Sequence, residues 1–235
     1  MRAGARMRAP VNSRPPKDTQ MTNDQNLKQS VLDELNWEPS INSASIGVTA
    51  KDGVVTLTGN VETFSQKHAA ELAALRVHDV KAVAEEIEVK LSFDVKHGDA
   101  EIAEAALHRL AWDSLVPKDA VKVTVADGWL TLTGQVGWHF EQEAAATAVR
   151  SLWGVTGVSN HIAIKPGPNA GDIKADIMSA MKRSWFKPEH VDVTAANGRV
   201  TLTGKVNNWS ERELAGATAW SAPGVSSVTN DIRVR

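Results

Sequence analysis

The sequence repeats one short phrase three times at long spacing. It reads DGVVTLTGNV from Asp52, DGWLTLTGQV from Asp127 and NGRVTLTGKV from Asn197. Counted between the glycines of the TLTG motifs, the repeats lie 75 and 70 residues apart, a period far longer than a short solenoid unit. Apolar residues recur at the same offsets from each glycine, such as the valines at positions 48, 123 and 193. Spacing is kept this faithfully only when side chains meet the same core. The chain is therefore predicted to fold as three copies of one packed unit.

Each copy begins with an amphipathic helix. The predicted helices span Asp24–Asn36, Asp99–Ala111 and Asp172–Arg183, each with an acidic residue near its start, where the helix dipole is positive. Their apolar residues follow the spacing i, i+4, i+5, i+8, which is one helical stripe. The stripes comprise Leu27, Val31, Leu32 and Leu35; Ile102, Ala106, Leu107 and Leu110; and Ile173, Ile177, Met178 and Met181.

A β-hairpin follows each helix. Valines and leucines alternate with polar residues on both sides of Asp52-Gly53, Asp127-Gly128 and Asn197-Gly198, the dipeptides most typical of two-residue hairpin turns. The TLTG leucines are predicted to face the core and the threonines the other face. The motif glycines interrupt this return strand at a core-facing position, which indicates a bulge or a close approach of the following helix. These glycines are Gly59, Gly134 and Gly204.

An alanine-rich second helix and a last strand complete each copy. Thr63-x-x-Gln66 and Ser210-x-x-Glu213 have the form of a capping box at the helix start. Gly154 and Gly224 are typical of a helix C-terminus, and Asp79 in the first copy predicts a looser or different end there. The last strands are predicted over Val83–Val89, Val158–Ile164 and Val228–Val234.

The predicted fold class is α+β, with three tandem αββαβ domains, each a three-stranded mixed sheet with two helices on one face. The domains are placed at residues 23–92, 97–166 and 170–235. Residues 1–22 are basic, rich in proline and poor in apolar side chains, so they are predicted to be disordered. They contain no apolar stretch typical of a secretory signal, and no run in the chain approaches the roughly 18–20 residues of a spanning helix.

The order of elements and motifs in each copy resembles the BON domain family. That order is a helix, the hairpin pattern V.V...DG.VTLTG.V, an alanine-rich helix and the strand pattern GV..V.N.I.V. The second copy matches through Asp127, Gly128, Leu132, Gly134, Gly154, Val155, Val158, Asn160 and Ile162. The third copy matches through Asn197, Gly198, Leu202, Gly204, Gly224, Val225, Val228, Asn230 and Ile232. The first copy matches through Gly53 and Gly59 in its hairpin but has Asp79 for the glycine and Glu85 for the asparagine.

The resemblance implies a non-catalytic module that binds phospholipid membranes or other ligands, in osmotic-stress, envelope or transport-associated roles. A soluble protein-interaction scaffold and a sensor of an ion or small ligand are open alternatives. Because no signal peptide is visible, a cytoplasmic location is expected, with the periplasm or envelope as the alternative that the family implies.

No motif in the sequence indicates catalysis. The chain has no cysteine, which excludes thiolate nucleophiles and cysteine metal sites, and its seven histidines lack metal-ligand spacing. The G-x-S-x-G elbow and the P-loop are also missing. Neighbouring carboxylates such as Glu85 and Glu86 are interpreted as a solvated face. No catalytic residue, cofactor or metal site is predicted.

Charge differs between the copies and indicates where a partner would bind. Lysine and arginine number 6 against 11 acidic residues over 24–92, 5 against 8 over 99–165, and 9 against 7 over 171–235. The basic third copy carries the candidate contact residues Lys182, Arg183, Trp185, Phe186, Lys187 and Trp209. Basic residues beside tryptophan suit an anionic membrane surface. Packing of these aromatics in core and inter-domain contacts is the alternative, favoured by Trp37 and Trp112, which also follow a first helix. Nucleic acid is disfavoured by the net charge of −2.

Overall fold

Each repeat forms a helix, a hairpin, a helix and a strand, in that order. A computed structural model of the chain describes residues 17–91, 97–165, 172–183 and 191–234, with backbone alone for the first six of these. The first helices are α1 (Lys17–Trp37), α3 (Asp99–Trp112) and α5 (Ile173–Arg183), and the second helices are α2 (Phe64–Arg76), α4 (His139–Arg150) and α6 (Trp209–Trp220). The hairpins are β1 (Ile46–Lys51) with β2 (Val54–Val61), β4 (Val121–Ala126) with β5 (Trp129–Val136), and β7 (Val191–Ala196) with β8 (Arg199–Val206). The last strands are β3 (Ala82–Val89), β6 (Gly157–Ile164) and β9 (Ser227–Val234).

The three sheets are mixed and identical in topology. In the first, β2 is central and pairs antiparallel with β1 and parallel with β3. The same order and register recur in β4–β6 and in β7–β9. The predicted α+β class with three tandem αββαβ units is confirmed.

Each repeat encloses its own apolar core. The TLTG leucines Leu57, Leu132 and Leu202 are completely buried on the central strands. The predicted helix stripes also lie in the cores, with Leu32 and Met178 partly buried against them, and Leu107 is the exception. Leu107, at the i+5 position, is 54% exposed, so its prediction as a core residue is wrong. With 3.6 residues per turn, i+5 lies about 100° from the centre of the stripe formed by i, i+4 and i+8, which places it at the rim.

The first helix starts earlier than expected. It was predicted from Asp24, but α1 begins at Lys17, so residues 17–22, predicted to be disordered, are helical. Proline and glycine are both missing between Lys17 and Trp37, so nothing in that stretch breaks the helix. Residues 1–16 lie outside the described part of the chain.

The TLTG glycine allows the chain to pass close to the hairpin. Gly59 has a φ of 119° and Gly134 a φ of 139°, values that side chains rarely allow. A Cβ at either position would collide with the main-chain carbonyl of Ser45 or Ala120, just before the first strand of the hairpin. Antiparallel pairing reaches the glycine and parallel pairing with the last strand continues past it, with no inserted residue in either. The predicted bulge or helix approach is therefore wrong, because the crowding comes from the chain that enters the hairpin.

The second helices begin with caps, one of which differs from its prediction. Thr63 and Gln66 form the expected capping box on α2. On α6 the cap is Asn208, whose side chain accepts from the N–H of Glu211, so the predicted box of Ser210 and Glu213 is wrong. Asp79, which replaces glycine after α2, keeps the left-handed backbone with a φ of 71°.

The acidic residues at the helix starts tie the helices to the hairpin turns. The Asp99 carboxylate accepts 2.9 Å hydrogen bonds from the backbone N–H groups of Asp127 and Gly128. In the first domain, Asp24 accepts from Asp52 N at 2.9 Å. These bonds fix the start of α3, and the part of α1 around Asp24, over the hairpin turns, a role that the dipole argument from sequence did not include.

A long polar side chain from each second helix reaches the outer strand of its sheet. Lys67, Gln142 and Arg212 each lie eight residues after the TLTG glycine. They donate to the carbonyl oxygens of the buried isoleucines on β3, β6 and β9, at 2.7, 2.6 and 3.0 Å. Each therefore satisfies an acceptor on a strand that has no neighbour on that side among the described residues.

The domains contact one another through their second helices. Phe64 at the start of α2 packs against the second core, and Ser65 Oγ donates to the Arg150 carbonyl at 3.2 Å. The His139 ring stacks on Trp220 with ring centroids 4.1 Å apart. Because α2 also contacts α6, each domain touches both of the others.

Candidate functional site

Two of the candidate contact residues lie at the end of the first helix of the third domain. Lys182 and Arg183 form the last turn of α5 and are exposed, and Arg183 Nη1 donates to Ser179 Oγ at 2.9 Å. Cations at a helix C-terminus are favoured by the helix dipole. Trp185, Phe186 and Lys187 lie outside the described residues.

Trp209 begins α6 and is half-buried. The guanidinium carbon of Arg212 lies 4.6 Å from the centre of its ring, within the range of a cation–π contact. Arg212 Nε donates to Ile232 O at 3.0 Å, and Nη2 donates to Asn230 O at 2.8 Å. The arginine is therefore held between the indole and the edge strand, with its charge beside the tryptophan.

The fold places Trp209 at the same end of the third domain as Lys182 and Arg183. The C-terminus of α5 leads to β7, whose first residue, Val191, pairs with Gly204 near the end of β8. Trp209 follows the end of β8 after two residues. Within the described ranges, no hydrogen bond or cation–π contact joins Trp209 to Lys182 or Arg183, so the two groups share an end rather than a pocket.

The tryptophans that follow the first helices of the other domains are exposed. Trp37 is 83% and Trp112 is 87% accessible. Their exposure removes the support that Trp37 and Trp112 gave to the packing alternative, although Trp220 does pack against the third core and on His139. Large exposed aromatic side chains are costly to leave in water and often mark contact surfaces. The position after the first helix is therefore one where this fold presents an indole to its surroundings.

Acidic groups surround the exposed tryptophan of the first domain. Arg76 pairs with Glu34 at 2.8 Å and with Glu38 at 3.2 Å, across α1 and α2. Hydrogen bonds from Ser40 and Arg76 keep the pKa of the Glu38 carboxyl below its ordinary value. One arginine thus faces two carboxylates beside Trp37, whereas two exposed cations end the corresponding helix of the third domain.

An aromatic cleft lies between the second and third domains. Trp138, Phe140 and Trp220 border a cavity of about 500 Å³ with Glu143 at its edge. Trp138 and Phe140 are 42% and 52% exposed, and His139 stacks on Trp220 with an angle of 10° between the rings. Burial lowers the pKa of His139 below its ordinary value. The cleft offers apolar surface to a ligand or to a partner side chain.

The described residues contain neither a cluster of potential metal ligands nor a membrane-spanning helix. In that part of the chain, no three histidine or acidic side chains converge as metal ligands do. Over the same ranges, every helix is too short or too polar to cross a bilayer.

Sequence reasoning singled out the motif glycines but missed several polar contacts. The eight glycines Gly53, Gly59, Gly128, Gly134, Gly154, Gly198, Gly204 and Gly224 all have positive φ. Arg212 was not singled out, although a long hydrogen-bond donor at the same offset in all three repeats was a visible signal. Glu85 was interpreted as solvated, but it is half-buried and pairs with Lys67 at 3.0 Å. That part of the prediction is wrong, while Glu86 is exposed.

The sequence matches known proteins along nearly all of the described chain. The family model described as BON domain matches three times, over residues 23–90, 98–166 and 169–235. The chain is also 30% identical over 146 residues to osmotically-inducible protein Y of Escherichia coli, an alignment that covers 59% of this chain and 69% of that protein.

Two solved structures of CdsD, a structural protein of the type III secretion system of Chlamydia trachomatis, also match. Each is 15% identical with a TM-score of 0.25 and covers 89% of this chain, and 92% and 98% of the matched chains. So low a TM-score means that the chain paths superpose poorly, and this likeness supports no functional conclusion.

Proposed function

The chain belongs to the BON domain family, and from that premise we propose that it is a non-catalytic binding protein for anionic phospholipid surfaces. Attachment is made mainly by the third domain, through Lys182, Arg183 and Trp209 together with Trp185, Phe186 and Lys187. The cations attract the headgroups, and the indoles take the interfacial position that tryptophan favours in membranes.

The observation that carries the proposal is a difference between equivalent helix ends. The first and second domains leave a tryptophan exposed after the first helix, at Trp37 and Trp112. Only the third domain ends that helix with two adjacent cations, Lys182 and Arg183. An anionic surface repels the carboxylates beside Trp37 and attracts the third domain, so charge selects which of the similar ends makes contact.

The physiological setting is proposed from the relative. The matched Escherichia coli protein is named as osmotically inducible, and we propose that this chain acts in the response to osmotic or envelope stress. Its compartment stays a prediction, the cytoplasm with the envelope as alternative. Fractionation of cells before and after an osmotic upshift, with detection of the protein in each fraction, checks both points.

Binding to vesicles tests the membrane proposal. The full chain is incubated with phosphatidylcholine vesicles with and without phosphatidylglycerol, and the bound fraction is measured by flotation. Each basic residue near an anionic surface contributes about 1 kcal/mol, so Lys182→Gln with Arg183→Gln should weaken binding by roughly thirtyfold. Raised salt should weaken the parent protein in the same direction.

The matched control removes the same charge elsewhere. Lys28→Gln with Lys51→Gln changes two exposed lysines of the first domain. If both double variants bind as the parent does, or if neutral and anionic vesicles bind equally, the proposed contact is ruled out.

A second candidate function is that of a protein-interaction scaffold. The aromatic cleft with Trp138, Phe140 and Trp220 favours it, because interfaces are enriched in exposed aromatic anchors. Phe140→Ser should abolish co-purification of a stoichiometric protein partner without changing vesicle flotation. Loss of flotation with no loss of a partner would assign the cleft to the membrane instead.

A further inference from the structure

A cationic cavity lies between the first and third domains. It has a volume of about 360 Å³ and is bordered by Lys81, Trp209, Arg212, Ile232, Arg233 and Val234. Three of these residues are positively charged, and none of the described residues that border it carries a carboxylate. The positive charge of the cavity is therefore not neutralised by any described residue that borders it.

The cations of the cavity are also unpaired with groups farther away. Across the described ranges, Lys81, Arg212 and Arg233 form no ion pair, whereas Lys67, the counterpart of Arg212 in the first domain, pairs with Glu85. Lys81 also borders a neighbouring cavity with Asp24, Asp52 and Asp79, but it pairs with none of them. Cations held near one another repel, and an anion between them relieves that repulsion.

Two of the residues that border the cavity also carry hydrogen-bond donors without an acceptor among the described residues. The indole Nε1 of Trp209 is buried and has no acceptor among the described residues. Arg212 uses Nε and Nη2 on carbonyl oxygens of β9, and its Nη1 has no acceptor in that part of the chain. Buried donors are nearly always paired in native proteins, so an unpaired indole N–H beside an arginine indicates a missing acceptor.

The repeats provide an internal comparison, because the fold does not require these charges. The counterparts of Arg212 and Arg233 in the second domain are Gln142 and Ala163, and Gln142 makes the same bond to its edge strand. The counterparts of Lys81 are Thr156 and Ser226, whose hydroxyls bond to the hairpin turns. The fold is therefore satisfied by neutral residues at all three positions.

We propose that this cavity, with Lys81 from the first domain and Trp209, Arg212 and Arg233 from the third, binds a phosphate group. A phosphate offers several acceptor oxygens at once, which suits the guanidinium of Arg233, the remaining Nη1 of Arg212, an indole N–H and a lysine ammonium. The cavity accepts a free phosphate or the phosphate of a lipid headgroup. It differs from the proposed membrane contact at Lys182 and Arg183 and shares only Trp209 with it.

The test follows the indole resonance of Trp209 in the full chain. The protein is labelled with ¹⁵N-tryptophan, the Trp209 peak is assigned with Trp209→Phe, and inorganic phosphate is titrated against sodium chloride of equal ionic strength. The Trp209 peak should move saturably with phosphate and not with chloride, while the peak of exposed Trp112 stays in place.

Substitutions already present in the repeats remove the charges with little risk to the fold. Lys81→Thr with Arg233→Ala copies the second domain and should weaken phosphate binding at least tenfold. Lys118→Thr with Lys122→Ala removes two exposed lysines of the second domain, neither of which borders the cavity, and should leave binding unchanged. Unchanged melting temperatures without phosphate establish that both double variants are folded.

Vesicles containing phosphatidic acid identify the source of the phosphate. Competition between these vesicles and inorganic phosphate for the Trp209 shift assigns the site to a lipid headgroup, and independent binding assigns it to a free phosphate. Both results support the proposal. It is overturned if the Trp209 peak does not move with phosphate, or if it moves equally in the Lys81→Thr, Arg233→Ala variant. Vesicle flotation of the Lys182→Gln, Arg183→Gln variant is scored separately, so failure of either proposal is distinguishable.

Discussion

The ammonium group of Lys67 lies 3.0 Å from a carboxylate oxygen of Glu85 and donates a 2.7 Å hydrogen bond to the carbonyl of Ile87. In the other domains an asparagine takes the place of Glu85, and its side-chain N–H donates back to the second helix, as Asn160 does to Gln142 O at 3.0 Å. Glu85 Oε1 still accepts from Ile87 N at 2.9 Å, the bond that the asparagines make. The first domain thus keeps the same edge-strand structure, with the charged Lys67–Glu85 pair in place of the neutral Gln142–Asn160 pair of the second domain.

Exchanging that pair should cost little if both partners change together. Lys67→Met should lower the free energy of unfolding of the first domain by about 1–3 kcal/mol, because it leaves Glu85 and the Ile87 carbonyl unpaired. The double variant Lys67→Gln with Glu85→Asn copies the second domain and should return to within about 0.5 kcal/mol of the parent. Urea unfolding combined with amide exchange of β3 measures both. Equal losses in the single and double variants would show that the pair is not coupled.

Substitution of the TLTG glycine should destabilise its domain strongly. Gly134→Ala places a methyl group against the Ala120 carbonyl and forces alanine to a φ of 139°, which costs at least about 1–3 kcal/mol. Gly137→Ala lies three residues on, where a Cβ would meet only Glu141 Oε2, at 3.5 Å. Thermal unfolding compares the two variants, and a similar effect in both would refute the steric explanation.

Separate cores predict that damage to one domain stays local. Leu132→Ala removes a completely buried side chain and should cost about 2–5 kcal/mol in the second domain alone. The control Leu107→Ala changes an exposed leucine of the same domain and should stay within about 0.5 kcal/mol of the parent. Hydrogen exchange resolved by domain is the measurement. Equal loss of protection in all three domains after Leu132→Ala would mean that they unfold as one unit.

Acid should weaken the contact between the second and third domains. Burial lowers the pKa of His139 below its ordinary value of 6.5, so the neutral ring is favoured in the fold. As the pH falls below about 6.5, the unfolded chain takes up the proton first, and the free energy of unfolding decreases until the folded-state pKa is passed. The carboxylate of Glu143, 3.8 Å from the His139 ring, opposes this lowering of the pKa because it favours the protonated imidazole.

His139→Phe separates this effect from other titrations, because Phe64 holds the equivalent position in the first domain. The difference between the parent and variant stability profiles from pH 8 to 5 should be flat above the unfolded-state pKa and should fall below it. A flat difference over the whole range would contradict a buried neutral imidazole.

Strand alternation and turn chemistry made the fold predictable. Asp127 and Gly128 specify a hairpin by their backbone preference alone. The polar residues on both sides of Leu132 predict that its side chain faces the core, because side chains alternate between the two faces of a strand. These are local signals, readable within a few residues. The threefold recurrence of the pattern then located the domains.

The candidate surface was less predictable, because exposure depends on what lies across from a side chain. Trp37 and Trp112 end their helices beyond the last residue of the core stripe, and sequence alone does not show whether the chain folds back over them. Arg212 and Lys81 lie more than a hundred residues apart and meet only because α2 contacts α6. No periodicity within one repeat carries that information.

The hydrogen bonds from Lys67, Gln142 and Arg212 to the edge strands also affect the solubility of the protein at high concentration. A bare border strand is a template on which another polypeptide can add its own strand, the first step towards fibrils. By occupying a carbonyl on β3, β6 and β9, these side chains leave an incoming strand one bond short on each of those borders. A protein built from three small open sheets is thereby hindered from polymerising through these borders at high protein concentration.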